Sequence, residues 1–156
     1  MPVHVNQSAP DFALYDSDKN KVTLSEQKDS NVLLLFFPLA FTGTCTAELC
    51  SIRDNIALYN STNAKVFGIS VDSLFTLAKF KAKQNLNFPL LSDFNKQASR
   101  AYDVLYETFP TFEMQGVSKR AAFVIDKEGT IRYAEVCATP RDLPDFTAIN
   151  AMLATL

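Results

Sequence analysis

The sequence predicts an α/β domain built on a central mixed β-sheet flanked by helices, with an N-terminal β-hairpin. Three observations carry this. Residues 32–37 (Val-Leu-Leu-Leu-Phe-Phe) and 65–71 (Lys-Val-Phe-Gly-Ile-Ser-Val) are apolar runs of strand length, read as strands buried on both faces. Each is followed by a segment of helical periodicity, the βαβα order that pairs strands in parallel through a right-handed crossover. The chain then closes on two strands and a helix, a ββα unit. A chain of 156 residues forms one domain, spanning 1–156, and buries about two thirds of its unfolded surface without disulfide staples.

Residues 11–15 (Asp-Phe-Ala-Leu-Tyr) alternate, and 21–24 form a partner strand across an Asp-Ser-Asp-Lys-Asn turn, which gives the hairpin. Ser25 offers a cap for a helical turn. After the 32–37 strand, Leu49, Ile52, Ile56 and Tyr59 share one face, which predicts a helix from Cys45 to about Tyr59. Asp72 or Ser73 caps the next helix, with Leu74, Leu77, Ala78 and Phe80 on one side and an end near Leu86. A short strand at 89–91 and a short helix at 96–103 follow. Residues 106–117 are irregular around Phe109-Pro110-Thr111-Phe112; such aromatics fold back on a core or border a site or interface. Strands at 121–125 and 130–136 flank Asp126-Lys127-Glu128-Gly129, a loop in which Gly129 suits positive φ. Beyond Pro140 and Pro144, a helix at 145–156 sets Phe146, Ile149 and Leu153 on one face. This order is the thioredoxin-like layout. It places Cys45 at the carboxyl edge of a central parallel strand, where open α/β sheets hold their sites.

The chemistry concentrates in Pro38-Leu39-Ala40-Phe41-Thr42-Gly43-Thr44-Cys45. Pro38 ends the strand, and Thr42, Gly43 and Thr44 supply a turn and N-cap choices. Cys45 falls at or inside the first helical turn, where backbone N–H groups and the positive dipole end favour a thiolate over a thiol. The Thr42 hydroxyl, three residues earlier, reaches the same spot. A free cysteine is more often a small packed core residue, and spacing alone leaves both readings open. The junction, the hydroxyl and a second cysteine at Cys50 point to a reactive sulfur.

Composition narrows the function classes. A net charge of −2 with 15 Lys+Arg spread along the chain gives no basic stripe, so no nucleic-acid partner is expected. Residues 1–10 lack the basic and apolar regions of a secretory signal, and the longest apolar run, 32–41, is too short to span a bilayer. The expectation is a cytoplasmic protein with no membrane partner, in which three cysteines serve catalysis or redox chemistry rather than structural disulfides. The single histidine, His4, gives a Cys-His or Ser-His-Asp hydrolase no supported base. Cys45, Cys50, Cys137 and His4 lack zinc spacing, and four glycines form no phosphate-cradling loop. No cofactor and no metal are expected. The spacing of Cys45 and Cys50 also excludes the Cys-x-x-Cys motif of a thioredoxin-type disulfide reductase.

Pro38-x-x-x-Thr42-x-x-Cys45 resembles the Pro-x-x-x-Thr-x-x-Cys signature of the peroxiredoxins. The resemblance runs nearly end to end, through Ala9-Pro10-Asp11-Phe12, Phe36-Phe37-Pro38-Leu39-Ala40-Phe41-Thr42-Gly43, Phe88-Pro89-Leu90-Leu91-Ser92-Asp93 and Arg120-Ala121-Ala122-Phe123-Val124-Ile125-Asp126. The chain most resembles the one-cysteine, alkyl hydroperoxide reductase E branch. The spacing Cys45-x-x-x-x-Cys50 resembles instead the Q-type, bacterioferritin-comigratory branch. The resemblance implies a thiol-dependent peroxidase that reduces hydrogen peroxide and organic hydroperoxides. It implies Cys45 as the peroxidatic nucleophile, Thr42 as a hydrogen-bonding partner of the peroxide, Pro38 as a shield for the sulfur, Arg120 as the active-site arginine and Glu48 as the residue that orients it. Without the resemblance, nothing separates Arg120 from Arg53, Arg100, Arg132 or Arg141. It further implies a thioredoxin- or glutaredoxin-like reductant. A homodimer is expected, paired through Phe41, the helix after Asp72 and the 109–112 loop, with a monomer as the Q-type alternative. The intersubunit resolving mechanism of typical two-cysteine members is not expected, because the extension that carries their second cysteine is not seen.

Cys50 is the expected resolving residue. In an intact helix, residues five apart lie about 140° apart around the axis, with Cα atoms roughly 8.7 Å apart. A disulfide needs about 4.4–6.8 Å. The expectation is that residues 44–49 unwind after oxidation, so that an intramolecular Cys45–Cys50 bond forms. The alternatives are a one-cysteine cycle resolved by an external thiol, and a redox sensor without turnover. Cys137, read as lying in a strand near the sheet's end, is expected to be buried and inert.

Overall fold

The computed structural model describes residues 3–156. Strands β1 (Ala13–Asp16) and β2 (Lys21–Thr23) form the N-terminal hairpin. Strand β3 (Asn31–Phe36) leads into α1 (Gly43–Asp54) and α2 (Ile56–Ser61), β4 (Ala64–Ser70) into α3 (Leu74–Gln84), and β5 (Leu90–Ser92) into α4 (Gln97–Ala101). Strands β6 (Ala121–Ile125) and β7 (Ile131–Val136) and helix α5 (Phe146–Ala154) complete the chain. Among the described residues these strands form one seven-stranded sheet in the order β2-β1-β5-β4-β3-β6-β7. Strand β4 pairs in parallel with β3 and with β5, and the other pairings are antiparallel, the mixed sheet that the sequence predicts.

Alternation along β3 divides the core between the two sheet faces. Leu33, Leu35 and Phe37 pack with Leu49 and Ile52 of α1, Leu77 and Phe80 of α3, and Ile149 and Leu153 of α5. Val32, Leu34 and Phe36 pack on the other face with Phe12, Phe67, Ile69, Ala98 and Tyr102. Apolar demand on both faces is why β3 reads as an unbroken apolar run. Each fully buried Leu or Phe here contributes about 1.5–3 kcal/mol.

One helix from Cys45 to about Tyr59 is expected, and two are found. Helix α1 starts at Gly43 and stops at Asp54, because Asn55 leaves helical geometry (φ −117, ψ 19). Its N–H turns to the Ile52 carbonyl at 3.1 Å and its side-chain amide donates to the Ser51 carbonyl at 2.8 Å. Such local bonding makes Asn a frequent helix breaker. The apolar face survives the break: Leu49, Ile52 and Tyr59 are buried in one cluster and Ile56 packs against it. Ser73, not Asp72, caps α3, accepting the Thr76 N–H at 3.2 Å. Cys137 lies just past β7 rather than in it. The remaining elements agree with the sequence reading to within a few residues at their ends.

Candidate active site

Strand register assembles the site. Strand β6 runs antiparallel to β3 with Phe36 opposite Ala121, so Arg120, just before β6, sits where the chain leaves β3. Strand β7 pairs with β6 through Val136 and Ala121, and the Cys137 N–H donates to the Arg120 carbonyl at 2.9 Å.

The loop from β3 to α1 is pinned at several points. The Phe37 N–H donates to the Ile69 carbonyl at 2.9 Å, and Pro38 is buried. The Ala40 N–H donates to Asp72 Oδ2 at 2.8 Å, and the Ser70 hydroxyl donates to the same oxygen at 2.6 Å. Phe41 then turns through φ 65, a left-handed conformation that costs a non-glycine residue roughly 1–2 kcal/mol. Its ring rests on Phe80 with centroids 5.1 Å apart. This turn delivers Thr42 to the N-cap of α1 and Cys45 to its first turn.

Thr42 behaves differently from the sequence reading. Its hydroxyl is exposed and donates to the Leu39 carbonyl at 2.8 Å; no side-chain cap bond forms, and the sulfur is not its partner. The Thr42 carbonyl, in turn, accepts the Thr46 N–H at 2.9 Å and the Thr46 hydroxyl at 2.7 Å. The hydroxyl proton is thus engaged locally, while the oxygen keeps lone pairs to accept with.

Cys45 is 1% exposed, and Arg120 Nη2 donates to its Sγ at 3.2 Å. Glu48, one turn along the same helix face, is also buried, and its Oε1 accepts from Arg120 Nη1 at 2.8 Å. A third partner is the Pro140 carbonyl, which accepts from Arg120 Nε at 3.2 Å and Nη2 at 2.9 Å. Burial pushes the Glu48 carboxyl up to about 7, against the opposing pull of Arg120. Burial pulls the Arg120 guanidinium down, but Glu48 and Cys45 more than offset it, so the group is held above its ordinary value. The result is a buried sulfur facing a cation fixed by a carboxylate and a carbonyl. Such a cation stabilises negative charge on the sulfur and on any oxygen bound beside it.

Cys45, Glu48 and Arg120 therefore converge, while Pro38 is buried in the loop that leads to them and Thr42 is exposed at the start of α1. Arg53, Arg100 and Arg132 bond elsewhere. Cys50 is half-buried on another face of α1, and its Sγ contacts Gln84 Oε1 at 3.6 Å. With α1 intact the two cysteines are free, as helix geometry requires. Cys137 is 7% exposed, and burial pushes its thiol up to about 11, in line with an inert residue. The sequence reading missed two anchors, the Asp72 carboxylate on Ala40 and the Pro140 carbonyl on Arg120. Asp72 carried a signal, but one equally suited to capping; a backbone carbonyl carries none. Among the described residues no group of three or more His, Cys, Asp or Glu is placed to hold a metal ion. Among the described residues no helix is long and apolar enough to cross a membrane.

Residues 5–134 match the AhpC/TSA family. The chain is 39% identical over 137 residues to alkyl hydroperoxide reductase E of Mycobacterium bovis, covering 86% of each chain. It is 36% identical over 160 residues to peroxiredoxin-2 of Bos taurus, covering 96% of this chain and 75% of that one. The crystal structure of peroxidoxin BcpB from Mycobacterium tuberculosis matches with a TM-score of 0.85 at 27% identity, over 97% of both chains. Fold, site and relatives define a thiol-dependent peroxidase. The chain belongs to the AhpC/TSA family, the peroxiredoxins.

Proposed function

We propose that this chain, as a single domain over 1–156, reduces hydrogen peroxide and organic hydroperoxides at Cys45, with Arg120, Thr42, Pro38 and Glu48 completing the site. The observation that carries this reading is the Arg120 Nη2 donation to Cys45 Sγ at 3.2 Å, between two side chains each 1% exposed. The Cys45 thiolate attacks one peroxide oxygen. A sulfur–oxygen bond forms as the oxygen–oxygen bond breaks, and the other oxygen leaves as hydroxide or alkoxide and takes up a proton. The products are a Cys45 sulfenic acid and water or an alcohol. A free thiol is already a few per cent ionised at neutral pH, so ionisation alone adds only a few tens-fold in rate. The larger gain comes from donors aimed at the peroxide oxygens in the transition state: Arg120 and the Cys45 N–H. Thr42 hydrogen-bonds the peroxide through its oxygen, Pro38 shields the sulfur, and Glu48 orients Arg120.

The sulfenic acid then condenses with the Cys50 thiol, releasing water and forming an intramolecular disulfide. Residues 44–49 unwind for this step. A thioredoxin- or glutaredoxin-like protein returns the disulfide to two thiols. One observation favours the one-cysteine alternative: Cys50 is engaged with Gln84, on a different face of α1 from Cys45. The chain acts in the cytoplasm as a homodimer. Phe41 and Phe112, 49% and 86% exposed, support the pairing surface expected there. Steady-state peroxide reduction with thioredoxin and glutaredoxin systems side by side tests the function. Turnover with either supports it; a single oxidation of Cys45 without turnover leaves only a sensor.

A further inference from the structure

The turn between β7 and α5 contributes to the site in a way that its exposed side chains do not advertise. Nε–H and one Nη2–H of a guanidinium point the same way and form a fork that usually grips a carboxylate. In Arg120 a single oxygen, the Pro140 carbonyl, fills that fork at 3.2 and 2.9 Å. The remaining end carries the donations to Glu48 and Cys45. The Arg120 main chain is tied to the same segment through the Cys137 N–H. Pro140 is in turn presented by a closed turn. The Thr139 N–H donates to Asp142 Oδ2 at 3.1 Å, the Asp142 N–H to the Thr139 carbonyl at 3.2 Å, and the Arg141 N–H to Thr139 Oγ1 at 3.3 Å. Both Thr139 and Asp142 are exposed and touch neither Cys45 nor Arg120 by any bond seen here.

We propose that the 139–142 turn is a positioning element for peroxide reduction: it seats the Pro140 carbonyl in the Arg120 fork and so keeps Nη2 aimed at the reacting sulfur. Glu48 alone does not fix the plane of the guanidinium, since a single Nη1 contact leaves it free to swing. The carbonyl also bears no titratable proton, so it holds Arg120 whatever the charge on Glu48. Asp142 acts as a positioning residue through Thr139 and Pro140. A misaim of the order of 1 Å at a catalytic donor is enough to cost up to about 10²-fold in rate.

This rests on the reading of Arg120 as a transition-state donor, and the experiment separates the two. The second-order rate with hydrogen peroxide is measured by competition against a haem peroxidase, because the chain has no Trp to report on oxidation. The proteins are wild type, Asp142→Ala, Asp142→Asn, Arg120→Met and the Asp142→Ala/Arg120→Met pair. Asp142→Ala slows the reaction by about 10-fold with an unchanged thermal midpoint, less than loss of the donor itself. Asp142→Asn keeps the acceptor oxygen and stays within about two-fold of wild type. On the Arg120→Met background, Asp142→Ala adds nothing. An unchanged rate in Asp142→Ala overturns the proposal, as does a loss that Asp142→Asn fails to rescue or that persists in full without Arg120. If Arg120→Met is itself as fast as wild type, the reading of Arg120 falls, and the proposal with it.

Discussion

Helix α1 carries two cysteines in two unlike settings. On the face toward β6, Cys45, Glu48, Leu49 and Ile52 are buried, and Cys45 Sγ and Glu48 Oε1 accept from Arg120. On the face toward the end of α3, Cys50 and Arg53 are partly exposed, with a long sulfur contact to Gln84 Oε1 and an Arg53 donation to the Gln84 carbonyl. The first face is a buried ion pair, where removing one partner costs about 3–5 kcal/mol. On the second, the Arg53 donation to the Gln84 carbonyl is part-buried and charge-assisted, and the Cys50 sulfur has the weaker contact. One helix thus carries a buried sulfur facing a cation and a half-buried sulfur with one long contact. The first turn carries Cys45, and it starts from an exposed Thr42 and Gly43 after the left-handed Phe41. Under the proposed Cys45–Cys50 cycle, the contacts that must hold and the segment that must unwind lie one turn apart.

The largest break in this comparison is Cys45→Ser. It abolishes peroxide consumption, whereas Cys50→Ser preserves the first oxidation and loses only disulfide-linked turnover; single- and multiple-turnover assays separate the two. Next is Arg120→Met, which keeps bulk but removes the donor. The second-order rate with hydrogen peroxide falls by about 10²–10³-fold. An unchanged rate would mean that the buried face works through some other group.

Glu48 sharpens the comparison through pH. Burial raises its carboxyl from 4.5 to about 7, so it takes up a proton as pH falls from 8 to 6, and Arg120 then loses a charged partner. Wild-type rates therefore decline toward acid over that window through this group, while Glu48→Gln lacks the step that Glu48 contributes and sits near the acid-side level. Stability moves the other way. The folded chain holds a proton that the unfolded chain has already lost, so the stability from this group is present below about 4.5 and is lost by about 7. Urea midpoints across that range fall with rising pH in wild type and less in Glu48→Gln. The smallest effect belongs to Cys137→Ser, nearly silent in rate, because burial holds that thiol far from ionisation.

Much of this was legible in the sequence because it is local. Apolar runs announced β3 and β4, periodicity announced α1 and α3, and the junction between strand and helix announced Cys45. Arg120 was not, since its place follows from the register of β6 on β3, a pairing between segments far apart in the chain. The family resemblance supplied it; the spacing did not. The break at Asn55 was hidden because Leu49, Ile52, Ile56 and Tyr59 keep helical spacing across it. The Thr42 hydroxyl turned to Leu39 rather than to the sulfur, a choice between two acceptors that residue identity does not decide. Pro140 acts through its carbonyl, an atom that every residue has.

The most direct test of the two-faced helix is non-reducing peptide mass spectrometry after one equivalent of hydrogen peroxide, with hydrogen exchange read on the same sample. The account predicts a Cys45–Cys50 linked peptide and faster amide exchange across residues 44–49 in the oxidised form only. A Cys45 sulfenic acid that persists beside a free Cys50, with α1 as protected as in the reduced protein, would contradict it.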